Sequence, residues 1–158
     1  MDRSSLIRGL QLSFRGAAAA GISFAVALAL KLEFPIYAVI AAVIVIDLNP
    51  AETRKLALRR IGGTIIGSVL GAVLAAALPH GVLTMGLGIF LAMFLTHMLR
   101  RPEAARVAGY LCAIVLLEHT ASPWTYAMWR FVETLLGIGV ALLVSLVPKA
   151  IRDPESRA

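Results

Sequence analysis

The feature that most constrains this chain is a stretch of 39 residues, 61–99, that contains no Asp, Glu, Lys or Arg. A helix needs about 20 apolar residues to cross the hydrocarbon core of a bilayer, so this stretch is long enough for two crossings. Pro79, His80 and Gly81 divide it with residues that interrupt helices. The stretch therefore predicts two transmembrane helices joined by a tight hairpin.

The rest of the chain has the same apolar character. Of its 158 residues, 59% are hydrophobic and 15% are charged, whereas soluble domains are about 45–50% apolar and about 25% charged. Prolines and charges separate six apolar segments, at 11–31, 35–48, 61–79, 82–99, 104–119 and 124–148. Because lipid offers no water to backbone groups, each segment is predicted to be a helix. We expect one all-α, polytopic membrane domain of six transmembrane helices.

The basic residues predict how these helices are oriented. If the N-terminus is cytoplasmic, twelve of the fifteen cations fall on the cytoplasmic side. Only Lys31 falls outside, and Arg15 and Arg130 lie within spans. The twelve are Arg3, Arg8, Arg54, Lys55, Arg59, Arg60, Arg100, Arg101, Arg106, Lys149, Arg152 and Arg157. By the positive-inside rule, both termini are expected in the cytoplasm.

Several functional classes are not expected from this sequence. The net charge of +6 comes from cations beside apolar runs, not from cations interleaved with exposed aromatics, so no nucleic-acid partner is expected. Cys112 stands alone and His80, His97 and His119 are scattered, which disfavours disulfides and metal sites. There is no catalytic Ser/His/Asp grouping and no phosphate-binding loop. We therefore expect neither an enzyme nor a cofactor.

An internal repeat is the most informative pattern. The motif R-x-x-x-T-x-x-G occurs at Arg60, Thr64 and Gly67 and again at Arg130, Thr134 and Gly137. The residues that recur around it are Tyr37 and Asp47 before the first copy, Tyr110 and Glu118 before the second, and Pro79 and Pro148 after them. This order predicts two three-helix repeats, residues 10–79 and 82–148. Because three is odd, the second repeat enters the membrane in the opposite sense.

Inverted repeats are typical of transporters, which place the substrate site near the membrane midplane, where short or broken helices meet. Only 13 uncharged residues separate Glu33 from Asp47, and only 11 separate Arg106 from Glu118. These spans correspond to about 16–20 Å of helix at about 1.5 Å per residue. The second and fifth helices are therefore expected to be short, with Asp47 and Glu118 below the headgroups and the cavity between the repeats.

Three strings carry a resemblance to a known family. They are Arg60-Ile-Gly-Gly-Thr-Ile-Ile-Gly-Ser-Val-Leu-Gly, Pro35-x-Tyr-Ala-Val-Ile-Ala-Ala-Val-Ile-Val and Trp129-Arg130-x-x-x-Thr134-x-x-Gly137. Over residues 10–150 the chain resembles the fusaric acid resistance and aromatic acid exporter family, as a half-size member. The resemblance implies export of aromatic or other organic acids across the bacterial inner membrane, driven by the proton gradient. It also implies a homo-oligomer and a periplasmic adaptor protein as partner.

The repeat and the resemblance together suggest a set of substrate-binding residues: Arg60, Arg130, Thr64, Thr134, Tyr37 and Tyr110. A guanidinium offers paired donors that match a carboxylate. Each arginine also has a simpler interpretation. Arg130 is spaced i, i+3 from Glu133 and the two are suited to neutralise one another, while Arg60 beside Arg59 suits a side chain that reaches the cytoplasmic headgroups.

Asp47, Glu118 and Glu133 are the predicted proton carriers, because a low dielectric favours the protonated form of a carboxyl group. The alternative for Asp47 and Glu118 is a role at a helix end. Five aromatic residues are expected mainly to anchor the helices at the membrane interface, with stacking on an aromatic ligand as the alternative: Tyr37, Tyr110, Trp124, Tyr126 and Trp129. The expected function is proton-coupled efflux of small organic anions such as aromatic carboxylic acids. The competing hypotheses are a passive anion channel and an accessory membrane subunit of a larger complex.

Overall fold

The computed structural model describes residues 3–118 and 122–147. Within these residues the chain forms six α-helices and no strand, which confirms the predicted all-α class and helix number. The helices are α1 (Arg3–Ala29), α2 (Ile36–Val45), α3 (Pro50–Ala77), α4 (Val82–Met98), α5 (Ala105–Glu118) and α6 (Pro123–Ser145), with a short 3-10 turn at Pro102–Ala104. Among the predicted features, His119, Pro148, Lys149, Arg152 and Arg157 lie outside the described residues.

The helices fall into two length classes. By length and composition, α1, α3 and α6 are able to cross a membrane, with 27, 28 and 23 residues. The others are shorter, and α2 and α5 have only 10 and 14 residues, or about 15 and 21 Å at 1.5 Å per residue. The spacing of charges thus predicted the two short helices correctly. Large apolar side chains such as Phe14 and Leu83 are exposed, as lipid contact allows.

Two predicted boundaries are wrong. The helix α1 begins at Arg3 instead of 11, and α3 begins at Pro50 instead of 61, because hydropathy marks the part of a helix that lies in lipid and not the polar turns that precede it. The start of α3 has its own signal: the Asn49 side chain accepts a hydrogen bond from the Ala51 N–H at 3.0 Å, and proline suits the first helical position. Arg60 consequently lies ten residues inside α3, about 15 Å from its start.

The cap at Asn49 gives a first prediction. We expect Asn49→Ala to lower the free energy of unfolding by about 1 kcal/mol, because the Ala51 N–H loses its acceptor. Asn49→Asp retains an acceptor and should stay within a few tenths of a kcal/mol of the wild type. Unfolding by titration with a denaturing detergent in mixed micelles measures both. Equal stability of all three proteins would contradict the role of this cap.

Helices α1 and α4 end in the same way. Lys31 and Arg100 follow them with φ values of 53° and 56°, and in each case the next residue donates a backbone hydrogen bond five residues back, from Leu32 to Ala27 and from Arg101 to Thr96. This is the Schellman arrangement, which satisfies carbonyls at a helix C-terminus. Corresponding helices of the predicted repeats thus share one cap.

The chain divides into two compact units. The first comprises Met1–Ala57 and Leu136–Ala158. Within it α1 packs on α2, and Gly137 of α6 faces the backbone of Ala38 on α2 so closely that an added Cβ would lie 2.9 Å from the Ala38 carbonyl carbon. The buried Arg15 donates to the carbonyl oxygens of Leu48 and Val147, which ties α1 to the end of α6.

The second unit comprises Leu58–Leu135. Within it α4 packs on α5, and α3 lies against α5 through Gly63, Gly67 and Gly71. A Cβ on Gly67 would lie 3.0 Å from both the Cα and the carbonyl carbon of Ala108. Small residues let helix backbones approach closely in lipid. These three glycines of α3 therefore serve packing inside one chain.

The two glycine contacts correspond to one another. A shift of 70 residues takes Gly67 to Gly137, and the same shift takes Ala38 to Ala108. In each unit, the third helix of one predicted repeat packs on the second helix of the other. This is the exchange of contacts that a pair of related halves would make.

Candidate functional site

The second unit contains three buried charged side chains among its described residues. Arg60 on α3 and Arg130 and Glu133 on α6 are 2%, 1% and 0% exposed. Charges away from water are costly and are normally retained with a partner or for a function. Arg60 lies near enough to Arg130 for their positive charges to repel. The unit thus holds two cations and one anion in its interior.

Arg130 has two partners on its own helix. Its Nη2 donates to Glu133 Oε2 at 3.0 Å, so the ion pair expected from the i, i+3 spacing is present. Its guanidinium carbon also lies 5.1 Å from the centroid of the Tyr126 ring, within the range of a cation–π interaction. With Glu133 ionised, these three buried side chains carry a net charge of +1 among the described residues of the unit.

Arg60 lies over the ring of Tyr110 on α5, with its guanidinium carbon 5.2 Å from the ring centroid. Its burial disagrees with the alternative of a side chain that reaches the headgroups. The Nε and Nη1 atoms of Arg60 are buried and have no hydrogen-bond partner within residues 3–118 and 122–147. A buried donor without an acceptor costs about 1–3 kcal/mol, and more when it is charged. An anion placed here would supply the missing acceptors.

The two predicted threonines lie one turn after the two arginines. Thr64 is buried and its Oγ1 donates to the carbonyl oxygen of Arg60 at 2.7 Å, while Thr134 is buried on α6. Thr64 also lines a groove of about 300 Å³ between α3 and α6. The groove is lined by Thr64, Ile65, Ser68, Val69, Trp124, Ala127, Met128 and Phe131.

This groove is lined mainly by apolar side chains, together with the buried hydroxyl groups of Thr64 and Ser68. Trp124 and Phe131 contribute aromatic rings from α6, and the buried Ser68 Oγ on α3 has no hydrogen-bond partner among the described residues. Ligand pockets typically combine apolar walls with a few polar groups that fix orientation. The groove is therefore chemically suited to a flat apolar group that carries a hydrogen-bonding atom.

Tyr126 is a site residue that the sequence interpretation missed. It is 2% exposed, so it is not an interfacial anchor, and its hydroxyl donates to Glu118 Oε2 at 2.5 Å. Glu118 is the last residue of α5 and is exposed. The signal available in the sequence was the spacing of Tyr126, Arg130 and Glu133 at i, i+4 and i+7, which places all three on one helix face.

Two predicted residues belong to the first unit. The Tyr37 ring lies 6.3 Å from the Phe34 ring in an edge-on arrangement. Asp47 precedes α3, where its Oδ1 accepts from the Asn49 N–H at 2.8 Å and its own N–H donates to Thr53 Oγ1 at 3.0 Å. These contacts favour the alternative that Asp47 serves at the start of a helix.

Metal binding has no geometric support in the part of the chain that the structure describes, because no three His, Cys, Asp or Glu side chains gather there. The chemistry of the site is that of buried guanidinium groups, tyrosine rings and hydroxyls. Buried guanidinium donors of this kind are chemically suited to an anion.

Comparison with known protein families identifies the family to which this chain belongs. A family model described as fusaric acid resistance protein-like matches residues 21–144. The chain belongs to this family. The match includes all of α2, α3, α4 and α5 and most of α6. Comparison with curated proteins and with solved structures gave no match.

Membership of the family supplies the general function. Fusaric acid resistance-like proteins are membrane proteins of transport and efflux, and the three long apolar helices fit that location. The matched region also contains Arg60, Arg130 and Glu133. The buried charges thus belong to the part of the chain that defines the family.

Proposed function

We propose that the chain exports small organic anions, with aromatic carboxylic acids as the first class, across the bacterial inner membrane in exchange for protons. The observation that carries the proposal is a pair of buried arginines, Arg60 and Arg130, in a unit whose described residues include a single buried carboxylate, Glu133. A substrate carboxylate would balance the remaining positive charge. It would also supply the acceptors that Nε and Nη1 of Arg60 lack.

The groove between α3 and α6 is the proposed place for the aromatic part of the substrate. Thr64, which lines the groove, lies one turn after Arg60 on α3 and donates to the Arg60 backbone carbonyl. The rings of Trp124 and Phe131 would flank an aromatic ring, and Ser68 would bond a heteroatom on it. Thr134 and Tyr110 of the same unit remain in the proposed binding set, whereas Tyr37 belongs to the first unit.

The proposal also includes the transport cycle and the assembly. Glu133 and Glu118 are the proposed proton carriers, while the contacts of Asp47 favour a role at the start of α3. The six helices are proposed to form two inverted repeats with both termini in the cytoplasm. The shared Schellman caps and the exchanged glycine contacts support the repeat. A homo-oligomer and a periplasmic adaptor are the proposed partners.

Transport of labelled benzoate into proteoliposomes with an acidic lumen tests this function. A weak acid that diffuses through lipid is excluded from an acidic lumen, whereas proton exchange accumulates its anion there, so the two processes have opposite signs. We expect accumulation above the level of protein-free vesicles. Arg60→Gln should reduce its rate about tenfold, because a charge-assisted hydrogen bond contributes about 1.5–3 kcal/mol.

Arg59→Gln is the matched control. Arg59 is adjacent in sequence but exposed, so its loss should leave the rate near that of the wild type. Benzoate movement only down its own electrochemical gradient would favour a passive channel over the proposed exchange. Absence of both binding and movement by the purified protein would favour an accessory subunit.

A further inference from the structure

Tyr126 connects an exposed carboxylate to a buried cation. Its hydroxyl donates to Glu118 Oε2 at 2.5 Å, and the face of its ring lies 5.1 Å from the guanidinium carbon of Arg130. Glu118 ends α5, while Tyr126 and Arg130 are one turn apart on α6. The tyrosine is 2% exposed, so its ring has little room to move while its hydroxyl is held.

We infer that Tyr126 is a positioning residue that couples the protonation state of Glu118 to anion binding at Arg130. The inference rests on the proposed function, since it requires that an anion bind at the arginines. In this inference Glu118 is the group that senses the proton. Tyr126, which has no proposed contact with the substrate, connects Glu118 to Arg130.

The physical basis is the strength of the hydrogen bond from Tyr126 to Glu118. An ionised carboxylate accepts a short, charge-assisted hydrogen bond from a phenol, which fixes the ring and increases its electron density. A fixed, electron-rich ring holds the guanidinium of Arg130 more firmly. Arg130 is then preorganised beside Arg60 for a carboxylate, and preorganisation strengthens binding.

Protonation of Glu118 would reverse each step. The neutral acid is a weaker acceptor, the Tyr126 ring is less firmly held and Arg130 is less well placed, so the anion is bound more weakly. A proton that promotes release of the anion is what exchange requires. By reciprocity, the bound anion disfavours protonation of Glu118 to the same extent.

A direct charge effect would have the opposite sign. Ionised Glu118 repels an anion, so through charge alone acidification would strengthen anion binding. Glu118 is exposed, however, and salt screens exposed charges strongly. Positioning through Tyr126 therefore predicts that anion affinity falls as the pH falls, whereas direct repulsion predicts that it rises.

Other titratable or charged groups surround this connection. The buried Arg60, Arg130, Glu133 and the Tyr110 ring lie on α3, α6 and α5 in the same unit. His80 shares a cavity with Leu116 and Leu117, next to Glu118 in the chain. Arginine and tyrosine keep their charge states between about pH 3 and 8, but imidazole and carboxyl groups do not. His80→Gln and His119→Gln are therefore the controls for histidine titration, and Glu133→Gln is the control for the buried carboxyl group.

The test is binding of labelled benzenesulfonate to the 158-residue chain in lipid nanodiscs from about pH 3 to 8, a range that extends below the ordinary pKa of a glutamate side chain. This probe stays ionised throughout, so its own charge does not contribute to the profile. We expect the wild-type affinity to fall about fivefold on acidification, within the usual range of coupling between sites. His80→Gln should retain this fall.

Tyr126→Phe keeps the ring but removes the hydroxyl, and Glu118→Gln imitates the protonated acid at an exposed position. Both variants should bind with the low affinity of the acid form at every pH, and the double variant should bind no more weakly than either. Glu118→Gln keeps the proposal testable if Tyr126→Phe does not fold, as judged by gel filtration.

Two results would overturn the inference: a wild-type affinity that rises or stays constant on acidification, or a pH dependence that survives in Tyr126→Phe and Glu118→Gln. Failure of the wild type to bind benzenesulfonate or benzoate at any pH would instead reject the proposed function, and the inference with it. The two failures are therefore distinguishable.

Discussion

Arg130→Ala is expected to abolish transport of benzoate and to destabilise the protein. Removal of one member of a buried ion pair leaves the other charge inside without its counterion, which costs about 3–5 kcal/mol, and Glu133 is fully buried. Arg130→Lys should fold but transport more slowly, because an ammonium group supplies a point charge without the planar fork of donors. Transport in proteoliposomes and unfolding in mixed micelles measure the two effects.

The double change Arg130→Met with Glu133→Gln separates the two roles of this arginine. It removes both charges together, and a buried pair can often be replaced by neutral groups at little cost. We expect a folded protein that does not transport benzoate. A folded double variant with wild-type transport would show that Arg130 serves only to neutralise Glu133, and would reject its role in substrate binding.

Gly67→Ala is expected to disrupt the packing of α3 on α5 and so to lower the free energy of unfolding. The added Cβ would lie 3.0 Å from the Ala108 Cα and carbonyl carbon, and these are backbone atoms that cannot rotate away. Overpacking of this kind costs about 1–3 kcal/mol or more. Gly137→Ala should behave similarly, because its Cβ would meet the Ala38 backbone.

The controls lie on the same helices. Gly62 on α3 and Gly139 on α6 have no atom within 4 Å of an added Cβ, so Gly62→Ala and Gly139→Ala should be neutral or stabilise by up to about 1 kcal/mol through helix propensity. Unfolding in mixed micelles compares the four variants. Equal stability of Gly67→Ala and Gly62→Ala would show that α3 and α5 do not pack as described.

The helices illustrate how far sequence patterns reach. Charge spacing correctly predicted that α2 and α5 are short, the breaks at Pro35 and Pro79 lie between helices as expected, and Pro123 is the first residue of α6. The start of α3 was misplaced because hydropathy detects contact with lipid, whereas the helix continues through a polar turn that Asn49 caps. That error placed Arg60 at a helix end, where an exposed cation is the natural interpretation.

In the site, too, contacts within one helix were predictable from the sequence and contacts between helices were not. The i, i+3 spacing was sufficient to predict the ion pair between Arg130 and Glu133, because both residues lie on one helix and the distance follows from helix geometry. The contacts of Arg60 with Tyr110 and of Tyr126 with Glu118 join different helices. Nothing in the local sequence determines which helix faces which, so these contacts could not be derived from spacing.

By itself, the sequence of this protein indicated a membrane environment and six helices, because lipid imposes helical structure on apolar segments. It also indicated which residues share a helix face, because helix geometry fixes local distances. The tertiary structure decided which charges are buried together. Close approach of α3 and α5 through Gly67, and of α6 and α2 through Gly137, depends on the packing of surfaces that are distant in sequence. Packing within the second unit buries two arginines with one glutamate, which gives the buried charges of its described residues a net positive sum.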